Sequence, residues 1–245
     1  MSKNFQLLEQ LDRERLRYAS EYRTEEDLAA PTILKPNRGA RTYEELNRLV
    51  QGLFLNGPTS ARQVVFTGAG PRVGCTWICT HAAEVLCSQT TRDVCLVDAN
   101  RGSPGIGEYF NIRNGPGFFD ALATHDSMQR FTWKVANNLW VMPAGGNLEG
   151  EAVVSTDGFD AQLLELGRQF DFVLFDAAPV AGNSSSTTVA TLADGTVLVL
   201  KAGHTPRRAV GLALKELATA HAKVLGTVLN QRDYPVPEAI YQRLQ

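Results

Sequence analysis

Val64-Val65-Phe66-Thr67-Gly68-Ala69-Gly70-Pro71-Arg72-Val73-Gly74-Cys75-Thr76-Trp77 reads as an apolar strand, a glycine-rich turn and the first turn of a helix. A strand–glycine turn–helix unit of this kind makes a phosphate-binding loop, because backbone N–H groups and the positive end of the helix converge on one anion. Such a loop ordinarily adds a lysine, which places a mobile positive charge on the β- and γ-phosphates, followed by a Ser or Thr whose hydroxyl holds Mg²⁺. Here the glycines and Thr76 are in place, and Cys75 stands at the lysine position. Loss of one preorganised charge-stabilising donor costs about 10²–10³ in rate. Gly70, Gly74, Cys75 and Thr76 are therefore the expected cofactor-binding residues, and Arg72, three residues before Cys75, is a candidate substitute cation.

Working outward, apolar runs alternate with helical patterns. Expected strands are Gln63–Thr67, Val94–Val97, Leu139–Met142, Phe172–Phe175, Thr196–Leu200 and Val224–Leu229. Expected helices are Cys75–Gln89, Phe118–Ala123, Phe159–Gln169, Ser185–Leu192 and Pro206–Ala220. Most of the strands are continuous apolar runs, as when helices cover both faces of a parallel sheet. The expected fold is α/β, a doubly wound and mainly parallel sheet, with its ligand site at the carboxyl ends of the strands.

Two aspartates close such strands: Asp98 after Val94-Cys95-Leu96-Val97 and Asp176 after Phe172-Val173-Leu174-Phe175. A carboxylate leaving a buried strand beside a phosphate loop is placed to hold Mg²⁺, directly or through water. Asp98 and Asp176 are the expected catalytic residues, and Thr76, Asp98 and Asp176 the expected metal ligands.

The chain has 245 residues, 44% of them hydrophobic, which suits one α/β domain with an appendage. Its net charge of −2, from 24 basic and 26 acidic residues, supplies no field for nucleic acid. No apolar run approaches the ~20 residues that span a bilayer, and no signal peptide is evident, so the cytoplasm is the expected address. The four cysteines, Cys75, Cys79, Cys87 and Cys95, lack metal-site spacing and read as small core residues. An exposed Cys75 at a helix N-terminus would have a lowered thiol pKa.

Residues Asn4 to Leu28 suggest an amphipathic helix, and Pro31 to Arg41 a linker. Thr42 is the expected N-cap of a second helix ending near Gly52. The expected division is an N-terminal helical extension and linker over 1–41 and a phosphate-loop domain over 42–245.

The set of motifs resembles the cytoplasmic kinase domain of the bacterial tyrosine kinases of capsule and exopolysaccharide synthesis, in the MinD/ParA-like branch of P-loop proteins. Gly74-Cys75-Thr76 stands where that family has Gly-Lys-Ser/Thr. Leu96-Val97-Asp98-Ala99-Asn100, with Pro104 beyond, matches its second Walker-type motif, and Phe175-Asp176-Ala177-Ala178-Pro179 its Walker B strand. Glu45-Leu46-Asn47-Arg48-Leu49-Val50-Gln51 resembles its Glu-x-x-Arg-x-x-Arg oligomerisation helix; Met142-Pro143-Ala144-Gly145 and Val228-Leu229-Asn230 match two further landmarks.

The resemblance implies ATP or ADP with Mg²⁺ as cofactors, Asn230 among the nucleotide-binding residues, and self-association through Glu45 and Arg48. It also implies a membrane-embedded polysaccharide co-polymerase or adaptor as partner, which would bring the protein to the inner face of the membrane. Four departures point to degraded catalysis: Cys75 for lysine, Asn100 for the second aspartate, Gly102 and Ser103 for basic residues, and a tyrosine cluster reduced to Tyr234 and Tyr241. The expected function is regulation or scaffolding of exopolysaccharide synthesis and export, with weak Mg-nucleotide binding or none. An active ATPase and tyrosine autokinase with a non-standard loop is the alternative. A ParA/MinD-like positioning ATPase is the third reading, disfavoured because Gly70 occupies the position of that branch's additional signature lysine.

Overall fold

The apolar runs become strands of one sheet. The computed structural model describes residues 40–56, 60–112, 115–124, 127–145 and 156–232. The expected helix over Asn4–Leu28, most of the linker, and Tyr234 and Tyr241 lie outside them. Helix α1 (Ala40–Val50) runs into a π-helical turn, Gln51–Leu55. There follow β1 (Gln63–Gly68), α2 (Cys75–Gln89), β2 (Val94–Ala99), the single turn α3 (Ile106–Tyr109) and α4 (Phe118–Thr124). The chain continues through a 3₁₀ turn (Met128–Phe131), β3 (Trp133–Lys134), β4 (Leu139–Met142), α5 (Thr156–Gln169) and β5 (Phe172–Ala177). It closes with α6 (Ser184–Leu192), β6 (Gly195–Lys201), α7 (Arg207–Thr219) and β7 (Val224–Asn230).

The sheet order is β3-β4-β2-β5-β1-β6-β7, and every neighbouring pair is parallel except β3 with β4. Alternation along β1 explains the two helical layers. Val64 and Phe66 pack with α1 and α2 on one face, while Val65 points to α4 and α5 on the other. Both faces being covered, the inner strands need no polar side, and β2 and β5 are buried throughout. β1 lies between β5 and β6, so the loops after β1, β2 and β5 emerge together at the carboxyl edge, where the strand order reverses.

The structure corrects the entry to the domain. Thr42 is not an N-cap; it lies inside α1, which already runs from Ala40. Nor does the helical path stop near Gly52. Leu46, Val50 and Phe54, spaced four apart, are all buried, and the π-turn carries that stripe on until Phe54 meets Phe172 edge-on at 5.7 Å. Packing of the stripe overrides the glycine. The short elements α3, β3 and the 3₁₀ turn had no periodic signal to reveal them.

Candidate functional site

The turn after β1 is shaped by two glycines. A Cβ on Gly68 would sit 2.6 Å from the Gly70 carbonyl oxygen. Gly74, the N-cap of α2, has φ 82°, and a Cβ there would run into the Asn230 side-chain amide. Gly70 is different: a Cβ there meets nothing, so its place in the motif is not a steric demand of this loop. The loop is pinned from both sides. Asn230 Nδ2 donates to the Val73 carbonyl at 2.9 Å, and buried Thr67 Oγ1 donates to the Ala178 carbonyl at 2.7 Å.

The result is a cleft of about 360 Å³ whose walls include Gly70, Arg72, Cys75, Thr76, Asn100 and Pro179. The first-turn N–H groups of α2 have no intrahelical partner, which gives the cleft floor donors for an anion. Arg72 is exposed on the wall, with φ 57°. A left-handed backbone at a non-glycine residue costs about 1–2 kcal/mol.

Thr76 Oγ1 donates to Asp176 Oδ2 at 2.6 Å. Asp176 is fully buried; among the described residues its other oxygen, Oδ1, has no hydrogen-bond partner of standard geometry, and the Cys75 thiol lies beside the carboxyl group. Burial pushes its carboxyl up to about 7; the Thr76 hydroxyl pulls the other way, and neighbouring Asp98 adds to the rise. Asp98 and Asp176 are register partners on adjacent strands. Burial also raises Asp98, against the pull of three backbone N–H groups. Ile106 and Gly105 donate to its Oδ2 at 3.1 and 2.9 Å, and Asn100 to its Oδ1 at 3.1 Å. Asp98 thus holds the first amides of α3 from the strand beside Asp176. It also lines a second cleft of about 310 Å³ with Pro104, Glu108 and Pro143.

Cys75 is not the exposed thiol for which a lowered pKa would be expected. Its thiol is raised well above the ordinary value, first by burial and then by the Asp176 carboxylate beside it. The helix N-terminus does not outweigh those two effects, so Cys75 supplies neither a cation nor a thiolate near neutral pH. Cys79, one turn on, is raised in the same way by burial.

Asn230 is beside the loop as expected, but its amide is engaged with Val73 and its Oδ1 accepts from the Gln231 N–H at 2.8 Å. Glu45 and Arg48 lie away from the phosphate cleft, exposed on a groove of about 690 Å³ between α1 and β7, where they pair with each other at 3.3 Å. The structure therefore brings together Gly74, Cys75, Thr76, Arg72, Asp98 and Asp176, and separates Glu45 and Arg48 from them. Sequence reasoning missed the Gly105 and Ile106 amides on Asp98. It also missed the buried His81 and Glu84 on α2, which two polar residues within a buried helical run could have signalled.

No protein-family model matches the chain. It is 25% identical over 215 residues to a protein named tyrosine-protein kinase YwqD of Bacillus subtilis, covering 80% of this chain and 90% of that one. It is 27% identical over 186 residues to the succinoglycan biosynthesis transport protein ExoP of Rhizobium meliloti, covering 71% of this chain but only 23% of that protein. Among solved structures, the kinase domain of the Escherichia coli tyrosine kinase ETK superposes with TM-score 0.69 at 19% identity, over 90% of each chain. Cobyrinic acid a,c-diamide synthase of Mycobacterium smegmatis, solved with an ATP analog and magnesium, superposes with TM-score 0.62 at 17% identity, over 75% of this chain and 80% of that one. The chain is a relative of proteins named bacterial tyrosine-protein kinases, and its fold is that of the MinD/ParA-like P-loop proteins. Among the described residues, no helix is long and apolar enough to cross a membrane.

Proposed function

We propose that this chain is a kinase-like regulator or scaffold of exopolysaccharide synthesis that binds Mg-nucleotide weakly and transfers phosphate slowly or not at all. The observation that carries the reading is a neutral Cys75 next to an intact Thr76–Asp176 pair. The anion cradle and the oxygen donors for a hard cation persist where the lysine's charge is gone.

The residues fit a magnesium ion on their own chemistry. Among the described residues Asp176 Oδ1 is a buried acceptor with no partner of standard hydrogen-bond geometry, and Thr76 supplies a hydroxyl at the same carboxyl group. Two hard oxygens of this kind, completed by water and phosphate oxygens, suit Mg²⁺ better than a softer metal. When bound, the ion would neutralise phosphate charge. The chain's own residues would do the rest. The α2 N-terminus orients the phosphates, Arg72 on the cleft wall supplies a cation, and Asp98, on the next strand, holds the loop that closes the other side. Binding must displace the proton that Asp176 holds near neutral pH, so affinity is coupled to pH.

The relatives' names connect them to tyrosine phosphorylation and to succinoglycan biosynthesis. By that analogy a membrane-embedded polysaccharide co-polymerase or adaptor is the proposed partner, with this chain at the inner face of the membrane.

Calorimetric titration with ADP and ATP, with and without Mg²⁺, tests the reading. Weak, Mg²⁺-dependent binding is expected, and silence at millimolar nucleotide would leave a scaffold alone. Retention of Thr76, Asp98 and Asp176 is what favours the alternative, an active autokinase. Incubation with Mg-ATP and mapping by mass spectrometry decides it: stoichiometric phosphate on Tyr234 or Tyr241, abolished by Asp98→Asn, would establish the kinase.

A further inference from the structure

Glu84 and Tyr109 meet outside the cleft. Glu84 sits midway along α2 among buried side chains and is itself 4% exposed. Tyr109 Oη donates to Glu84 Oε1 at 3.0 Å, and His81 Nδ1 lies 3.2 Å from Glu84 Oε2. The Tyr109 and His81 rings pack edge-on with centroids 5.7 Å apart. A buried carboxyl group is costly unless hydrogen-bonded, and the hydrogen bond it receives is from the Tyr109 hydroxyl; Oε2 and His81 Nδ1 make none among the described residues.

Tyr109 is also the last residue of α3, a single turn of four residues. At the other end of that turn the Gly105 and Ile106 N–H groups hold Asp98 Oδ2, and Tyr109 N–H donates to the Gly105 carbonyl at 3.1 Å. The turn rests on the site as well: a Cβ on Gly105 would lie 3.3 Å from the Thr76 methyl. One isolated helical turn does not hold itself together. The buried Ile106 side chain seats it in the core, and side chains from outside the turn hold its two ends: Asp98 at the first and Glu84 at the last.

We propose that Glu84 and Tyr109 are positioning residues for Asp98. Buried Glu84 anchors the Tyr109 hydroxyl, and that anchor keeps the Gly105 and Ile106 amides on the Asp98 carboxylate, fixing its orientation beside Thr76 and Asp176. The functional consequence rests on the cleft being a Mg-nucleotide site; the structural consequence does not.

The test uses the full chain in two arms. In the first, hydrogen exchange is followed without nucleotide. Tyr109→Phe keeps the ring and removes the hydroxyl, and the Gly105 and Ile106 amides are expected to exchange about tenfold faster, the size of one hydrogen bond. Glu84→Gln keeps an acceptor for Tyr109 and is expected to hold exchange at the wild-type rate. Protection in β1 and β5 should be the same in all three proteins. Unchanged exchange at Gly105 and Ile106 in Tyr109→Phe overturns the proposal, as does an acceleration spread evenly over the core. In the second arm, Mg²⁺ is titrated at fixed ADP. Tyr109→Phe should need about tenfold more Mg²⁺ for half-saturation, with Mg²⁺-free binding unaltered, and Glu84→Gln should keep the wild-type midpoint. An unaltered midpoint in Tyr109→Phe removes the functional consequence. Local acceleration in the first arm, together with no nucleotide binding by the wild type in the second, upholds the anchor and rejects the nucleotide reading.

Discussion

Asn230, the last residue of β7, holds the Val73 carbonyl of the phosphate loop through its side-chain amide at 2.9 Å. β7 is the outer strand of the sheet and β1, which launches the loop, is two strands inward. One side chain therefore ties the loop to the sheet edge across β6. Gly74 is glycine partly to make room for that amide.

Asn230→Ala should leave the Val73 carbonyl without its partner and loosen the loop. We expect a loss of about 1 kcal/mol in stability. Any nucleotide affinity should fall with it, because the cradle is no longer held open. Thermal unfolding and ADP titration of the same sample measure both. Equal stability and equal affinity in the variant would show that the loop keeps its shape without the clamp.

Asp176 makes the stability of the nucleotide-free protein depend on pH. Its carboxyl rises from an unfolded value of about 4 to about 7 in the fold, chiefly because it is buried. The folded state therefore binds this proton more tightly than the unfolded state does. The contribution is full below pH 4 and is lost as pH rises through 7, an effect on the order of a few kcal/mol. Asp98, also raised by burial, acts in the same direction. Between pH 5 and 8, wild type should lose stability relative to Asp176→Asn, which has no proton to release. Denaturant unfolding at several pH values gives the difference directly; parallel curves would mean that Asp176 titrates normally.

The strands and their order along the chain were legible because β1, β2 and β5 are apolar on both faces, a pattern the chain can adopt only beneath two helical layers. The phosphate loop was legible from Gly68, Gly74 and Thr76. What was hidden depends on tertiary contact. The thiol chemistry of Cys75 turned on burial beside Asp176, and the helix position that suggested a low pKa carried no information about that. The Asp98 amide cradle comes from a turn, α3, too short to leave a period in the sequence. Thr42 misled because a good capping residue near Pro36 and Gly39 was read as a boundary, whereas α1 extends through it.

Cys75→Lys should tighten triphosphate binding. The substituted position opens α2 on the cleft wall, one residue before Thr76, so an ammonium there joins the same anion that the helix N-terminus attracts. A hydrogen bond to a charged group contributes about 1.5–3 kcal/mol, or roughly 10–100-fold in affinity. Part of that gain goes to pairing with Asp176, which already influences the residue at 75. Isothermal titration with ATP and with AMP separates the cases. The gain should be seen for ATP and be nearly absent for AMP. No gain for either would mean that the loop no longer admits phosphates.

Self-association through α1 should be weak and dependent on concentration. The resemblance assigns this helix to the contact between neighbouring subunits, with Glu45 and Arg48 as its polar residues. In the structure those two side chains are exposed and bonded to each other, so an intermolecular contact has to break their pairing first. That cost is small, because an exposed pair of this type is worth only about 0.3–0.5 kcal/mol. Gln51, at the next position of the motif, carries no charge and cannot form a bidentate ion pair. The groove beside them, between α1 and β7, offers Trp77 and Leu229 as apolar contact in compensation. Head-to-tail use of such a surface would make a ring or a chain of subunits and not a two-fold dimer. Sedimentation velocity over a hundredfold range of concentration should show a shifting weight-average, moved toward monomer by Arg48→Ala. A strict monomer at the highest concentration, or an Arg48→Ala profile superimposable on wild type, would remove α1 as the association surface.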